Sequence, residues 1–156
     1  MTKAPPIDGL DDLPGHHIRR LQQIAVGIFM DETAAVNVTP VQFALLFAAA
    51  KEAGLDQRTL AGRIGLDTST IGAVVDRLES RDLIERKVSP NDKRVRLLSV
   101  TPAGKKLLQS VMPAMLRAQE RMLAPLPAPD RTKFMAMVKR IVEENNAWSR
   151  AAKDTG

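Results

Sequence analysis

Between Asp56 and Thr101 the chain sets two short helical patterns on either side of a glycine turn, then runs straight into two β-prone segments around a polar loop. Asp56 is placed to cap "QRTLAGRI", with Leu60 and Ile64 turned inward; Gly65 and Leu66 make the turn, and Asp67 caps "TSTIGAVVDRLESRD". An aspartate just ahead of a helical period accepts hydrogen bonds from the unpaired N–H groups of the first turn. In the second helix Ile71, Val74, Val75 and Leu78 recur at i, i+3, i+4 and i+7, which makes one buried stripe. "LIERKVS" and "RVRLLSVT" then read as strands joined by "PNDK", with Leu98 and Val100 alternating with Ser99 as a half-buried strand requires.

Two short helices followed by a two-stranded hairpin describe a winged helix-turn-helix. With Ile71 and Leu78 inward, a rotation of about 100° per residue leaves Ser69, Ala73, Asp76, Arg77 and Ser80 outward. Small residues let a helix sink into a major groove about 12 Å wide. Thr68, Ser69 and Thr70 offer donors and acceptors for base edges or phosphates, the helix N-terminus favours phosphate, and Arg77 reaches a phosphate or a guanine. Taken alone, the Thr and Ser residues do no more than start a helix. The adjoining hairpin turns the balance toward DNA recognition.

A wing beside such a helix meets the neighbouring minor groove, where a narrow groove concentrates negative potential and favours an arginine. In "NDKR", Asp92 lies two residues before Arg94 and is placed to orient its guanidinium, with Lys93 beside it. On a bare turn the same two residues would be a surface pair of little consequence. Charge supports the wing: the chain carries +5 with a pI near 9.9. From Arg77 to Lys106 there are nine basic residues (Arg77, Arg81, Arg86, Lys87, Lys93, Arg94, Arg96, Lys105, Lys106) against four acids (Glu79, Asp82, Glu85, Asp92). Aromatics are few, four Phe and one Trp, which argues against single-strand binding by base stacking.

The rest of the 156 residues reads as helix. A first helix runs from Pro14 to about Ala35 with Ile18, Leu21, Ala25, Ile28 and Phe29 at helical spacing. Thr39, Pro40 and Gln42 open a second, which stops at Gly54. Thr101 and Pro102 start a long helix expected to bend at Pro113. A last helix from about Asp130 to Ala152 carries Phe134, Met137, Val138, Ile141 and Val142 on one face. The expected fold is mainly α with a small β-hairpin wing: an arm at 1–13, a winged region at 37–101, and helices at 14–36 and 102–153 that carry more apolar surface than a small winged domain covers. These terminal helices are read as dimerisation helices, and Met112, Met115, Met122, Met135 and Met137 as core.

Absence of cysteine excludes disulfides, thiol nucleophiles and thiolate metal sites, and the two histidines, adjacent at His16 and His17, do not make a metal site. No "GxxxxGK" loop is present. The reading is therefore a non-enzyme with no cofactor and no metal. No apolar run is long enough to span a bilayer, and the N-terminus has acids and prolines where a signal peptide needs an apolar core, so a cytoplasmic location is expected.

"RDLIERKVSPNDKRVRLLSVTPAG", Arg81 to Gly104, resembles the MarR family of winged-helix transcription regulators, whose pattern is "GLI.R" followed by "DP.D.R....L.LT..G". Asp92, Arg94, Leu98, Thr101 and Gly104 fall on it. Asp82 stands where the family has Gly and is expected to alter the end of the recognition helix; Ser89 replaces an Asp and is expected to loosen the base of the wing. The resemblance implies a homodimer whose paired recognition helices read an inverted repeat in double-stranded DNA, and release by a small aromatic or heteroaromatic acid. "PGHHIRRLQQ" resembles the openings of members found near aromatic-acid catabolic genes. There Arg19 or Arg20 is placed to pair with a carboxylate, His16, His17 and Gln23 to bond ring substituents, and Phe43 and Phe47 to form an apolar wall. A winged helix used for protein contacts and an effector-independent regulator stay open at this point.

Overall fold

The computed structural model describes residues 6–149. The order is α1 (Pro14–Glu32), α2 (Pro40–Lys51), β1 (Leu55–Asp56), α3 (Gln57–Arg63), α4 (Thr68–Ser80), β2 (Ile84–Val88), β3 (Arg96–Val100), α5 (Pro102–Leu123) and α6 (Ala128–Glu144). The antiparallel sheet runs β1–β3–β2, with Ile84 opposite Val100 and Val88 opposite Arg96. Among the described residues no helix is long and apolar enough to cross a membrane.

Helix starts follow side-chain chemistry. Thr39 Oγ1 accepts from the Gln42 N–H while Gln42 Oε1 accepts from the Thr39 N–H, both at 3.2 Å, a closed capping box. Asp56, Asp67 and Thr101 cap α3, α4 and α5 through the N–H groups of Thr59, Thr70 and Gly104. From these starts the apolar stripes converge. Leu45 and Leu46 of α2, Leu60 of α3, Ile71, Val75 and Leu78 of α4, Ile84 and Leu98 of the sheet are fully buried in one core. Each such side chain contributes about 1.5–3 kcal/mol on burial. Phe29 of α1, Val38 and Ala118 of α5 form a second cluster on which Phe43 also packs.

Two local devices set the wing on this core. Gly104, in the first turn of α5, lies so close to the chain before β2 that a Cβ there would fall 2.1 Å from the Leu83 carbonyl oxygen and 2.6 Å from Val100 Cγ1. Asp82 ends α4 in the left-handed region at φ 55°, the conformation that the family's glycine adopts without strain. Its carbonyl accepts from Thr101 Oγ1 at 2.5 Å, which ties the end of α4 to the start of α5.

Several expectations need correction. The hairpin is a three-stranded sheet, because Leu55 and Asp56 pair with Leu98 and Leu97; a two-residue strand that also caps a helix leaves no period to read. Helix α1 stops at Glu32, three residues short of Ala35, where buried Thr33 turns its hydroxyl back onto the Phe29 carbonyl at 2.8 Å. Helix α5 runs to Leu123 with Pro113 inside it, where the sequence places it. Helix α6 stops at Glu144 and gives way to a 3-10 turn at Asn146–Trp148; the expected end at Ala152 lies outside the described residues, as do positions 1–5 of the arm. The stretch of arm that is described holds a 3-10 turn, Leu10–Asp12, whose Asp12 carboxylate accepts from the Asp8 and Gly9 N–H groups.

The apolar face of α6 is not buried by its own chain. Met137, Ile141 and Val142 are 58, 54 and 59% exposed, and Met135 is exposed beside them, so neither methionine belongs to the core. Ile18 and Ile24 of α1 and Leu116 of α5 are exposed as well.

Candidate nucleic-acid interface

Helix α4 turns its faces as the period requires. Ile71, Val75 and Leu78 are buried, while Thr68, Ser69, Thr70, Ala73, Asp76, Arg77 and Ser80 are exposed. At its N-terminus the hydroxyls are less free than the sequence implies. Ser69 Oγ donates to Asp67 Oδ1 at 2.5 Å, and Thr70 donates to the same carboxylate through its N–H at 2.7 Å and its hydroxyl at 2.8 Å. These bonds, the Ser69 hydroxyl first, hold the Asp67 carboxyl down to about 2. With both protons committed, Ser69 and Thr70 present acceptor lone pairs rather than donors. Asp67 also answers the positive end of the helix, so the attraction for phosphate expected there is met by the chain's own anion.

The wing tip is built as expected. Asp92 accepts from Arg94 three times, from its backbone N–H at 3.0 Å, from Nε at 3.2 Å and from Nη2 at 3.1 Å. The Arg94 side chain is 90% exposed and is thus oriented without being covered. Its guanidinium, followed by its N–H, lowers the Asp92 carboxyl below the usual range. Lys93 is exposed beside it. Ser89 does not loosen the base. It is buried, its N–H reaches the Val95 carbonyl at 3.0 Å, and its Oγ accepts from the Asn91 N–H at 3.2 Å, the place an aspartate side chain would take.

Sequence reasoning missed the lock between wing and helix. Arg86 on β2 donates through Nε to Glu79 at 2.6 Å and through Nη2 to Asp76, both on α4. The acids lie seven and ten positions away on another element, and no local pattern announces that pairing. Arg81, at the end of α4, donates to the Asn37 carbonyl at 2.9 Å and anchors the helix to the loop between α1 and α2.

Helix α3, the start of α4 and the wing enclose an open cleft of about 620 Å³, lined among others by Arg58, Thr68, Arg86, Arg94 and Arg96. Thr68 and Arg94, predicted separately, therefore border one space. A second groove of about 620 Å³ lies between α2 and α5, lined by Phe47, Lys51, Gln109, Met112 and Leu116 among others.

The candidate effector residues fall into two groups. Phe43 and Phe47 stack at 5.7 Å, with Lys51 Nζ 5.6 Å from the Phe47 centroid. His17 Nε2 donates to the Asp11 carbonyl at 2.7 Å, and Arg19 donates to His16 Nδ1 at 3.4 Å. Arg20 and Gln23 are exposed. Phe43 meets α1 at Phe29, about 20 Å along the helix axis from His16. No hydrogen bond, ion pair or ring contact among the described residues joins the histidines and arginines to the phenylalanines. Nor do those residues include a His, Asp and Glu cluster fit to hold a metal.

Known proteins resemble the chain over most of its length. The MarR family profile matches residues 38–95. A protein assigned to transcriptional regulation of the hcr operon in Thauera aromatica is 33% identical over 85% of this chain and 80% of its own. The PcaV transcriptional regulator of Streptomyces coelicolor, solved with its natural ligand, is 34% identical with a TM-score of 0.79 over 89% of this chain and 98% of that one. The transcriptional repressor CouR, solved on a 23-mer DNA duplex, is 27% identical with a TM-score of 0.81 over 90% and 99%. With the winged fold in place and relatives of this closeness, the chain belongs to the MarR family: it is a DNA-binding transcription regulator and not an enzyme.

Proposed function

We propose that the chain is a cytoplasmic homodimeric repressor that grips an inverted-repeat operator and releases it when a small aromatic or heteroaromatic carboxylic acid binds. Helix α4 enters the major groove, with Thr68, Ser69, Thr70, Ala73 and Arg77 toward the bases and backbone, and Arg94, oriented by Asp92 and flanked by Lys93, enters the adjacent minor groove. The observation that carries this reading is the shared cleft: the start of α4 and the wing arginine face one space on one side of the molecule.

Dimerisation is supported by the bare apolar faces of α1, α5 and α6, since patches of that kind mark interaction surfaces. A two-fold pairing would set two recognition helices about 34 Å apart, one turn of DNA. PcaV, which has a natural ligand, supports an effector. The groove beside Phe47 has the volume and lining of a small-molecule site, and Lys51 on its rim supplies a counter-charge for a carboxylate; Arg19 or Arg20 serves there only where a second chain brings its own α1 to the groove. The acid acts by preferring a dimer geometry whose helices no longer match the groove spacing, and it weakens binding only by its difference in affinity for the two geometries.

Titration of a labelled duplex between about 50 and 200 mM salt tests the DNA half. Arg94→Ala is expected to weaken binding and to lower the slope of log affinity against log salt by about one charge. An unchanged affinity would place the wing tip off the DNA. Sedimentation equilibrium tests the dimer, and a monomer at micromolar concentration would remove the inverted-repeat geometry.

A further inference from the structure

We propose that the cleft between α3 and the wing seats a single phosphodiester strand of the duplex, and that Arg58 and Arg96 hold it. This rests on the DNA reading above and adds two binding residues on elements that reading leaves idle.

A major groove and the minor groove beside it are separated by one sugar–phosphate strand. A protein that puts α4 into the first and Arg94 into the second must straddle that strand, and the space between the two elements has to receive it. In this chain that space is the cleft: Thr68 and Ile71 stand on one wall, Arg94 and Arg96 on the other, and Arg58 projects from α3.

The charges sort by how far they are already answered. Arg86 is held by Glu79 and Asp76, and Arg94 by Asp92. Arg58 is exposed and its guanidinium makes no ion pair or hydrogen bond among the described residues, and the Arg96 side chain is exposed with only Nη1 engaged, at 2.8 Å from the Lys93 carbonyl oxygen. Among the described residues Asp56 is the one carboxylate lining the cleft, and both its oxygens accept from Thr59, at 2.9 Å from the N–H and 2.6 Å from the hydroxyl. Among the described residues lining the cleft, the uncommitted cations are therefore Arg58 and Arg96, brought near each other where Asp56 pairs with Leu97. Guanidinium forks with free N–H groups suit the two non-bridging oxygens of a phosphodiester. Because the strand carries one charge per nucleotide and no sequence at those oxygens, these contacts position the protein and do not select bases.

The experiment has two arms. In the first, a duplex recovered by the wild-type protein is titrated against salt with wild type, Arg58→Ala and Arg96→Ala. Each variant should lower the salt slope by about 0.9, so that the loss of affinity between 50 and 200 mM salt shrinks by a factor of about 3.5. Each should weaken operator and unrelated duplex by the same factor. In the second, single methylphosphonate linkages are walked through the half-site with wild-type protein, which needs no variant to fold. One linkage between the helix-contact bases and the wing's minor groove should cost affinity in the wild type and cost nothing in the Arg58→Ala, Arg96→Ala double variant. Unchanged slopes in both variants, beside a salt-dependent wild type, would overturn the cleft assignment alone. A wild type whose duplex binding does not respond to salt would overturn the DNA reading itself.

Discussion

Arg86 on β2 reaches Glu79 on α4, Nε to Oε2 at 2.6 Å, and so fixes the first strand of the wing to the helix proposed to read DNA. Asp76 shares the same guanidinium, and the two acids, Glu79 foremost, raise the Arg86 pKa against the opposing effect of its burial. One cation thus positions the wing and answers two carboxylates that, in the proposed docking, would otherwise face phosphate.

Removing it should therefore cost more in binding than in folding. Arg86→Met is expected to lower stability by only about 0.5–1 kcal/mol, since the pair is part exposed and screened. Operator affinity should fall further than that figure predicts. In a double-mutant cycle, Arg86→Met with Glu79→Gln should lose no more than Arg86→Met alone. Additive losses in binding titrations would mean that the two residues act separately.

Gly104 tests the seating of α5 against the wing. A methyl group there has no room against the Leu83 carbonyl oxygen, which is backbone and cannot swing aside. Gly104→Ala should destabilise the protein by about 1–3 kcal/mol in denaturant unfolding. A variant as stable as the wild type would show that α5 is seated elsewhere.

Asp67 sets an acid limit on α4. Its carboxyl is depressed from the ordinary 3.8 to about 2, so its contribution is complete above the unfolded value and is lost as pH falls through the folded one. Melting temperatures of wild type and Asp67→Asn, taken from pH 5 down to pH 2, should converge as the solution is acidified. A gap that stays constant across that window would remove the carboxylate charge from the account.

The effector proposal separates by variant. With benzoate, nicotinate and their hydroxylated forms as probes, Arg20→Ala should abolish acid-induced release while operator affinity stays within about twofold of wild type. Release at wild-type acid concentration would exclude Arg20 as the counter-charge and leave Lys51, at the rim of the α2–α5 groove, as the next variant to make.

What could be read from the chain was what is local. The stripe of Ile71, Val75 and Leu78, the caps at Thr39, Asp56, Asp67 and Thr101, and the Asp92–Arg94 pair each lie within a few residues, and each is found as expected. Relations across elements were not legible. Arg86 meets acids on another helix, Leu55 pairs with a strand more than forty residues on, and the Ser69 and Thr70 hydroxyls turn inward onto a cap. No local pattern marks Arg58, since a basic residue in the first turn after a cap has the look of solvated surface, and only the cleft gives it company. The excess apolar surface of α1 and α6 was legible as well, but not which residues carry it: Met135 and Met137 read as core and lie exposed, because nothing within one chain covers that face.

The most direct measurement is a genomic selection, in which purified protein is incubated with fragmented DNA from its own source and the bound fragments are sequenced. The account predicts enrichment of an imperfect inverted repeat whose half-site centres lie about ten base pairs apart, with protection falling in the major groove of each half-site and the minor groove beside it. Recovery of fragments that share no site would contradict it, leaving phosphate attraction without recognition by α4.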